Sequence, residues 1–410
     1  MLFFLVTKKS KALQGPENQK IFAENQNKEE KMRIGFIVNE FFKYGSYGGY
    51  GFATKEIAKG LHEKGVESFL LVNISRLRTM PHPIEVEQGI PVIGYKAGKM
   101  NFVKKIPEFK QVDADIFQTC NISLDTNYCM KTMPESKHVI NFQDPRNADD
   151  WKEIYSHPTA LTQEGGTSSS FSYDIRFALA SLMYKKAIID ADGLTLQAKY
   201  LGNKVNKMFG IKEKYEFMPN PVAIPGRKIN KSDKPVVIFL GRLDIIKRPE
   251  IFFELAKRFP NVEFLAVGAA TRKSDNERFE KKYKLKNLKF LGLITDEEKK
   301  SEILEKAWMI INTSLHECLP VSFLEAWAHK CAVLSCQNPD NLTEKYGYYT
   351  GKILGTGIKE LEKFEKGIKS LLKDDEWEKL GKAGYEYVKK NHEFDGVIKK
   401  HIKYYKNLLK

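Results

Sequence analysis

The chain has 410 residues, with 67 Lys and Arg against 52 Asp and Glu and a formal net charge of +15. At roughly 150 residues per domain this is room for two or three domains, and 42% hydrophobic residues are too many for a disordered chain. No run approaches the roughly 18 apolar residues of a membrane span, and five Cys without a CxxC pair fit reduced cytosolic thiols rather than a disulfide framework.

Residues 1–31 are polar after the opening LFFLV, lack apolar periodicity, and read as a disordered extension ahead of a natural start at Met32. Arg33–Val38 (RIGFIV) is the first buried strand. It runs into the glycine-rich loop KYGSYGGYGF and then the helical pattern ATKEIAKGLHEKG. SFLLVNI, PVIGY, DIFQTC and HVINF read as further strands. YDIRFALASLMYKKAIIDA reads as a long helix, GLTLQA as a strand and KYLGNKVNKMFG as a helix. The unpatterned stretch Ala160–Tyr173 is either an acceptor loop or a long connection. Residues 218–235, rich in Pro and Lys, read as an interdomain linker.

The pattern then restarts. VVIFL leads into the loop GRLDIIKRPE and the helix EIFFELAKRF. The strands VEFLAVG, LKFLGL, MIINTS and CAVLSC follow, and an amphipathic helix, DGVIKKHIKYYKNLLK, closes the chain. Strands alternating with helices imply parallel sheets. The expected architecture is α/β, with two Rossmann-like, doubly wound domains facing a central cleft: 32–222, 223–390, and a C-terminal helix, 391–410, placed to pack back on the first domain.

The charge is mostly Lys. Only 11 basic residues are Arg, the residue best suited to forked contacts with phosphates and bases. The excess reads first as solvated Lys-rich faces and second as an attraction for an anionic acceptor or membrane surface; no nucleic-acid partner is expected.

Three loops carry candidate chemistry. After MIINTS come Glu317 and, eight positions on, Glu325, with Pro320 fitting a first helical position. The amides of Val321 and Ser322 would then stand at a helix N-terminus, a ready phosphate site. Taken alone, Glu317 is equally a solvated loop acid and Glu325 an exposed helix residue. After VVIFL, Gly241, Arg242 and Lys247 form a loop whose cations can neutralise a departing diphosphate, although a Gly turn with surface cations looks the same. The third loop, with adjacent Gly48 and Gly49, lets amides approach an oxyanion but lacks a dinucleotide or P-loop fingerprint. Two D-x-D triplets, Asp113–Asp115 and Asp190–Asp192, precede strands and read as turn residues rather than metal ligands. No HxxxH or GxSxG is present.

SLHECLPVSFLEAWAHKCAVLS resembles the E-x7-E region of retaining glycosyltransferases of family 4, the glycogen-synthase-like group with the GT-B fold. FLGRLDIIKRP is similar to its GR-x4-K element. The likeness extends through YGGYGFATKEIAKGLHEKG, ADGLTLQAKYLGNKV, FMPNPV and LKFLGLITDEEKKSEILEKA, nearly all of the chain from Met32 onward. The resemblance implies transfer of a sugar from a nucleoside-diphosphate sugar to the hydroxyl of a glycan, lipid-linked or small-molecule acceptor, in the cytoplasm or at the inner membrane face, with no cofactor and no metal. In it, Arg242 and Lys247 hold the diphosphate with the amides of Val321 and Ser322. Glu325 binds ribose, Glu317 binds the transferred sugar, Gly241 joins the donor-binding residues, and Gly48 and Gly49 line the cleft from the first domain near the diphosphate and acceptor. Asp144 falls near the N-terminal catalytic position, where Gln143 replaces the usual His and puts a general-base role in doubt. Lys330–Cys331 replaces a small glycine turn. The rival readings are a sugar-nucleotide epimerase and a catalytically degenerate sugar-nucleotide or glycan-binding protein.

Overall fold

A computed structural model describes residues 31–38, 49–74, 84–87, 89–96, 106–160 and 181–410. The proposed extension 1–31 (except its last residue), Gly48, and all of the stretch Ala160–Tyr173 beyond its first residue lie outside them. Two sheets organise the chain. The first has eight strands: β1 (Arg33–Val38), β2 (Glu67–Asn73), β3 (Ile84–Glu87), β4 (Ile90–Tyr95), β5 (Ile116–Cys120), β6 (Lys137–Phe142), β7 (Gly193–Leu196) and β8 (Glu216–Phe217). Their order is β3-β4-β2-β1-β5-β6-β7-β8, parallel except for β3, which runs antiparallel to β4. The second has six strands: β9 (Val236–Leu240), β10 (Glu263–Val267), β11 (Leu288–Gly292), β12 (Met309–Asn312), β13 (Ala332–Ser335) and β14 (Gly347–Tyr349), in the order β11-β10-β9-β12-β13-β14.

Each sheet places its first strand at the middle, and the order reverses there. That reversal opens a crevice at the carboxyl ends of the strands, where ligands bind in open parallel sheets. In the second sheet β9 and β12 are direct neighbours. The GRLDIIK loop after β9 and the loop carrying Glu317 after β12 are therefore forced together, although their lysine and glutamate are 70 residues apart.

The two halves are joined more firmly than a linker implies. The stretch read as an interdomain linker begins with a buried segment, Met218–Val222. Asn220, 1% exposed, donates to Gln197 Oε1 (2.7 Å), and Gln143 Nε2 donates to Asn220 Oδ1 (2.9 Å). His392 Nδ1 lies 2.9 Å from the Asn220 carbonyl, which ties the connection to the C-terminal segment. The closing helix, Phe394–Leu408, packs on the first half: a Cβ on Gly60 of the helix Gly49–Glu63 would lie 2.5 Å from Ile398 Cγ1, and the buried Tyr405 hydroxyl donates to Gln118 of β5 (2.8 Å).

The second aspartate of each D-x-D triplet ties down the start of a neighbouring strand. Asp115 accepts from the Arg33 amide (2.7 Å), and Asp192 accepts from the His138 amide and the Lys137 ammonium (both 2.9 Å). All five cysteines are free and buried.

Candidate active site

Glu317 stands at the carboxyl end of β12, and three donors converge on its Oε1: Lys247 Nζ at 2.5 Å, the Ser314 hydroxyl at 2.6 Å and Asn312 Nδ2 at 3.1 Å. Burial alone would push this carboxyl up. The Lys247 charge and these hydrogen bonds outweigh burial and hold it below the ordinary carboxylate value. Glu317 is thus an oriented anion rather than a solvated loop acid.

The helix Val321–Ala328 follows. Pro320 caps it from extended backbone (φ −63°, ψ 134°) rather than occupying its first helical position, so Val321 and Ser322 open the first turn. A Cβ on Gly49, at the start of the first-half helix, would lie 3.8 Å from Val321 Cγ2. Gly49, at the start of that helix, therefore meets the helix N-terminus of the second half. Glu325, one turn on, is only 13% exposed and pairs with Lys300 Nζ at 2.6 Å. Lys300 itself lies over the ring of Phe52 from the first half, 4.9 Å from its centroid.

Arg242 shares its loop with Lys247 but is paired with Asp244 (3.3 Å), whose carboxylate also accepts from the Thr271 amide and hydroxyl. Gly241 begins this loop. Its carbonyl oxygen would lie 1.9 Å from a Cβ on Gly268, which has φ +134°, so the close approach of the β9 and β10 ends demands glycine there.

Arg248 was missed in the sequence. It is 1% exposed and has φ +47°; its guanidinium donates to the carbonyls of Thr313 (2.6 Å), Ser314 (3.3 Å), Ile353 (3.0 Å) and Gly355 (3.0 Å). It staples the segment leading to Glu317 directly behind Lys247. Its sequence signal, a second cation following Lys247, was masked by the surface-like composition of KRPE.

Asp144, at the carboxyl end of β6, is fully engaged. His316 Nε2 lies 2.8 Å from its Oδ1, the Cys318 thiol donates to the same oxygen (3.2 Å), and Arg146 holds Oδ2 (2.8 Å). Burial opposes ionisation here, but His316 and Arg146 hold the carboxyl far below the usual carboxylate range. Its oxygens are committed, which does not suit a general base. The ligand atoms of Asp144, His316 and Cys318 lie within 4.8 Å of one another, yet the Arg146 cation already occupies the second carboxylate oxygen. Gln143 is 1% exposed and spends its amide on Asn220 rather than on the cleft. Lys330 adopts φ +58°, the left-handed backbone glycine takes readily, so the turn geometry survives the loss of glycine.

The two parallel sheets, each open at the carboxyl ends of its strands, have the GT-B arrangement. Residues 224–387 match the family model described as Glycosyl transferases group 1. Solved structures share the fold. A sucrose-phosphate synthase from Thermosynechococcus elongatus is 16% identical, with a TM-score of 0.67 over 92% of this chain and 99% of that one. HepE from Anabaena, solved with UDP-glucose, is 14% identical, with a TM-score of 0.62 over 92% and 100%. The catalytic domain of starch synthase IV from Arabidopsis thaliana, bound to ADP and acarbose, is 12% identical, with a TM-score of 0.56 over 93% and 100%. No curated protein sequence matches the chain.

Proposed function

We propose that the protein transfers a sugar from a nucleoside-diphosphate sugar to an acceptor hydroxyl with retention of anomeric configuration. The observation that carries this reading is the convergence of Lys247, Asn312 and Ser314 on one oxygen of Glu317 at two adjacent strand ends. Lys247, Arg242 and the first-turn amides at Val321 and Ser322 receive the diphosphate. Glu317 then offers its carboxylate to the hydroxyls of the transferred sugar, and Glu325 offers its own to ribose. Gly49 sets the first half against the helix that holds the diphosphate.

In the step itself, the anomeric carbon–phosphate oxygen bond breaks while the acceptor oxygen bonds to the same face. The acceptor proton passes to the departing phosphate oxygen. The committed oxygens of Asp144 favour this route, because no free base is offered at that position. Cations and helix amides stabilise the negative charge developing on the leaving group, so the reading requires no metal. The net charge of +15 suits an anionic glycan or lipid-linked acceptor, met in the cytoplasm or at an anionic membrane surface. Among the described residues, no helix is long and apolar enough to cross a membrane.

The test is a thermal-shift and turnover screen against UDP-, GDP- and ADP-sugars, with product stereochemistry read by NMR. One donor class should raise Tm and yield product with the donor's own anomeric configuration. Inverted product, or no stabilisation by any donor, would contradict the proposal.

A further inference from the structure

Glu317 is flanked in sequence by two residues that both bind the opposite half of the molecule. His316 Nε2 reaches Asp144 Oδ1 at 2.8 Å, and its Nδ1 faces Asp150 Oδ1 at 3.5 Å. The Cys318 thiol donates to Asp144 at 3.2 Å. Both aspartates belong to the first half, Asp144 after β6 and Asp150 in the first turn of the helix Ala148–Tyr155.

Their own positions are fixed in turn. The Asn121 side chain accepts from the Asp144 amide (2.8 Å), Arg146 braces the Asp144 carboxylate, and Lys204 holds Asp150 Oδ2 (2.7 Å). Directly beside this polar cluster lies an apolar one that also crosses between the halves. Ile154 and Ala160 of the first half pack with Ile246 and Leu315 of the second, and Trp151, Tyr155 and Ile245 pack against them. Leu315 and Ile246 are themselves joined by a backbone hydrogen bond (2.8 Å) and immediately precede His316 and Lys247.

We propose that His316 and Asp144 are positioning residues. Their contact across the cleft fixes the Glu317 loop in register with the first half, so that closure of the two halves and alignment of Glu317 are a single event. This rests on the reading of Glu317 as the sugar-facing carboxylate. The cluster does not serve as a catalytic dyad, because both Asp144 oxygens are already engaged, Oδ1 by His316 and Cys318 and Oδ2 by Arg146. What it supplies is geometry. Misplacing a reacting group by about 1 Å can cost on the order of 10²-fold in rate, and a loop held on both sides of its key residue resists such displacement.

The experiment uses the full chain with whichever donor and acceptor support turnover. It compares His316→Ala, His316→Gln, Asp144→Ala and the double His316→Ala/Asp144→Ala variant, with Tm measured for each and Lys247→Ala alongside. His316→Ala should lower kcat about 10- to 100-fold while the Kd for the free nucleoside diphosphate changes by no more than about 3-fold. His316→Gln, which keeps a donor for Asp144, should recover most of the loss. The double variant should be no worse than the poorer single one, since two partners of one contact are not additive. Should His316→Ala fail to fold, Asp144→Asn against His316→Gln makes the same comparison. Wild-type kcat in the alanine variants, additive losses in the double variant, or equal losses for Gln and Ala would overturn the proposal. Normal turnover in Lys247→Ala would instead overturn the underlying assignment of the site.

Discussion

Lys247 and Glu317 neutralise one another in a partly buried site, and each is worth more there than in water because the local dielectric is low. Removing the ammonium leaves Glu317 uncompensated and the leaving group unstabilised. Lys247→Ala should therefore cost about 10²–10³-fold in kcat, in line with the loss of a single charge-stabilising donor, with the fold retained by circular dichroism. Arg248 should behave differently. Its guanidinium satisfies four carbonyls, three of them buried, and makes no ion pair among the described residues, so Arg248→Met orphans those acceptors. At about 1–3 kcal/mol for a buried group left unmade, denaturant titration should show a loss of roughly 3 kcal/mol or more. A loss below about 1 kcal/mol would show that water satisfies those carbonyls.

At the level of elements, the strands that carry the site were legible because each is a short, nearly continuous apolar run, the pattern a parallel strand buried on both faces must have. RIGFIV, VVIFL and MIINTS all fall where the structure has strands. The antiparallel edge strand IEVE and the three-residue β14 were not legible, since neither has a run long enough to stand out from loop sequence. Glu317, Arg242 and Lys247 stood out in the sequence because they follow strands, and Glu325 because it lies eight positions beyond Glu317. The ion pairs around them did not. Lys300 against Glu325 and His316 against Asp144, 172 residues apart, are products of tertiary packing that no local pattern encodes. The closing helix was read correctly as amphipathic, and its buried face predicts a cost. Ile398, 0% exposed against Gly60, should lose about 2–4 kcal/mol on change to Ala; an unchanged denaturation midpoint would mean the helix is not part of the first half's core.

Across the whole molecule, three buried histidines link stability to pH. Burial lowers His329, His392 and His401 from the ordinary imidazole value to about 4 each. The unfolded chain takes up these protons near pH 6.5 and the folded chain only near 4, so the unfolded state holds more protons in between. Stability from this source is complete above pH 6.5 and falls as pH drops from 6.5 to 4. Tm measured across that window should decline steadily. His392→Gln should flatten the decline if its amide keeps the contact with the Asn220 carbonyl. A Tm independent of pH over the window would show that these imidazoles are solvated.

The account as a whole depends on two halves closing over an activated sugar while cations of the second half take up its diphosphate. Single-turnover transfer by Lys247→Ala, with the donor that stabilises the wild type, tests this most directly. The account predicts a rate about 10²–10³-fold below wild type at saturating donor. A rate equal to wild type would contradict it.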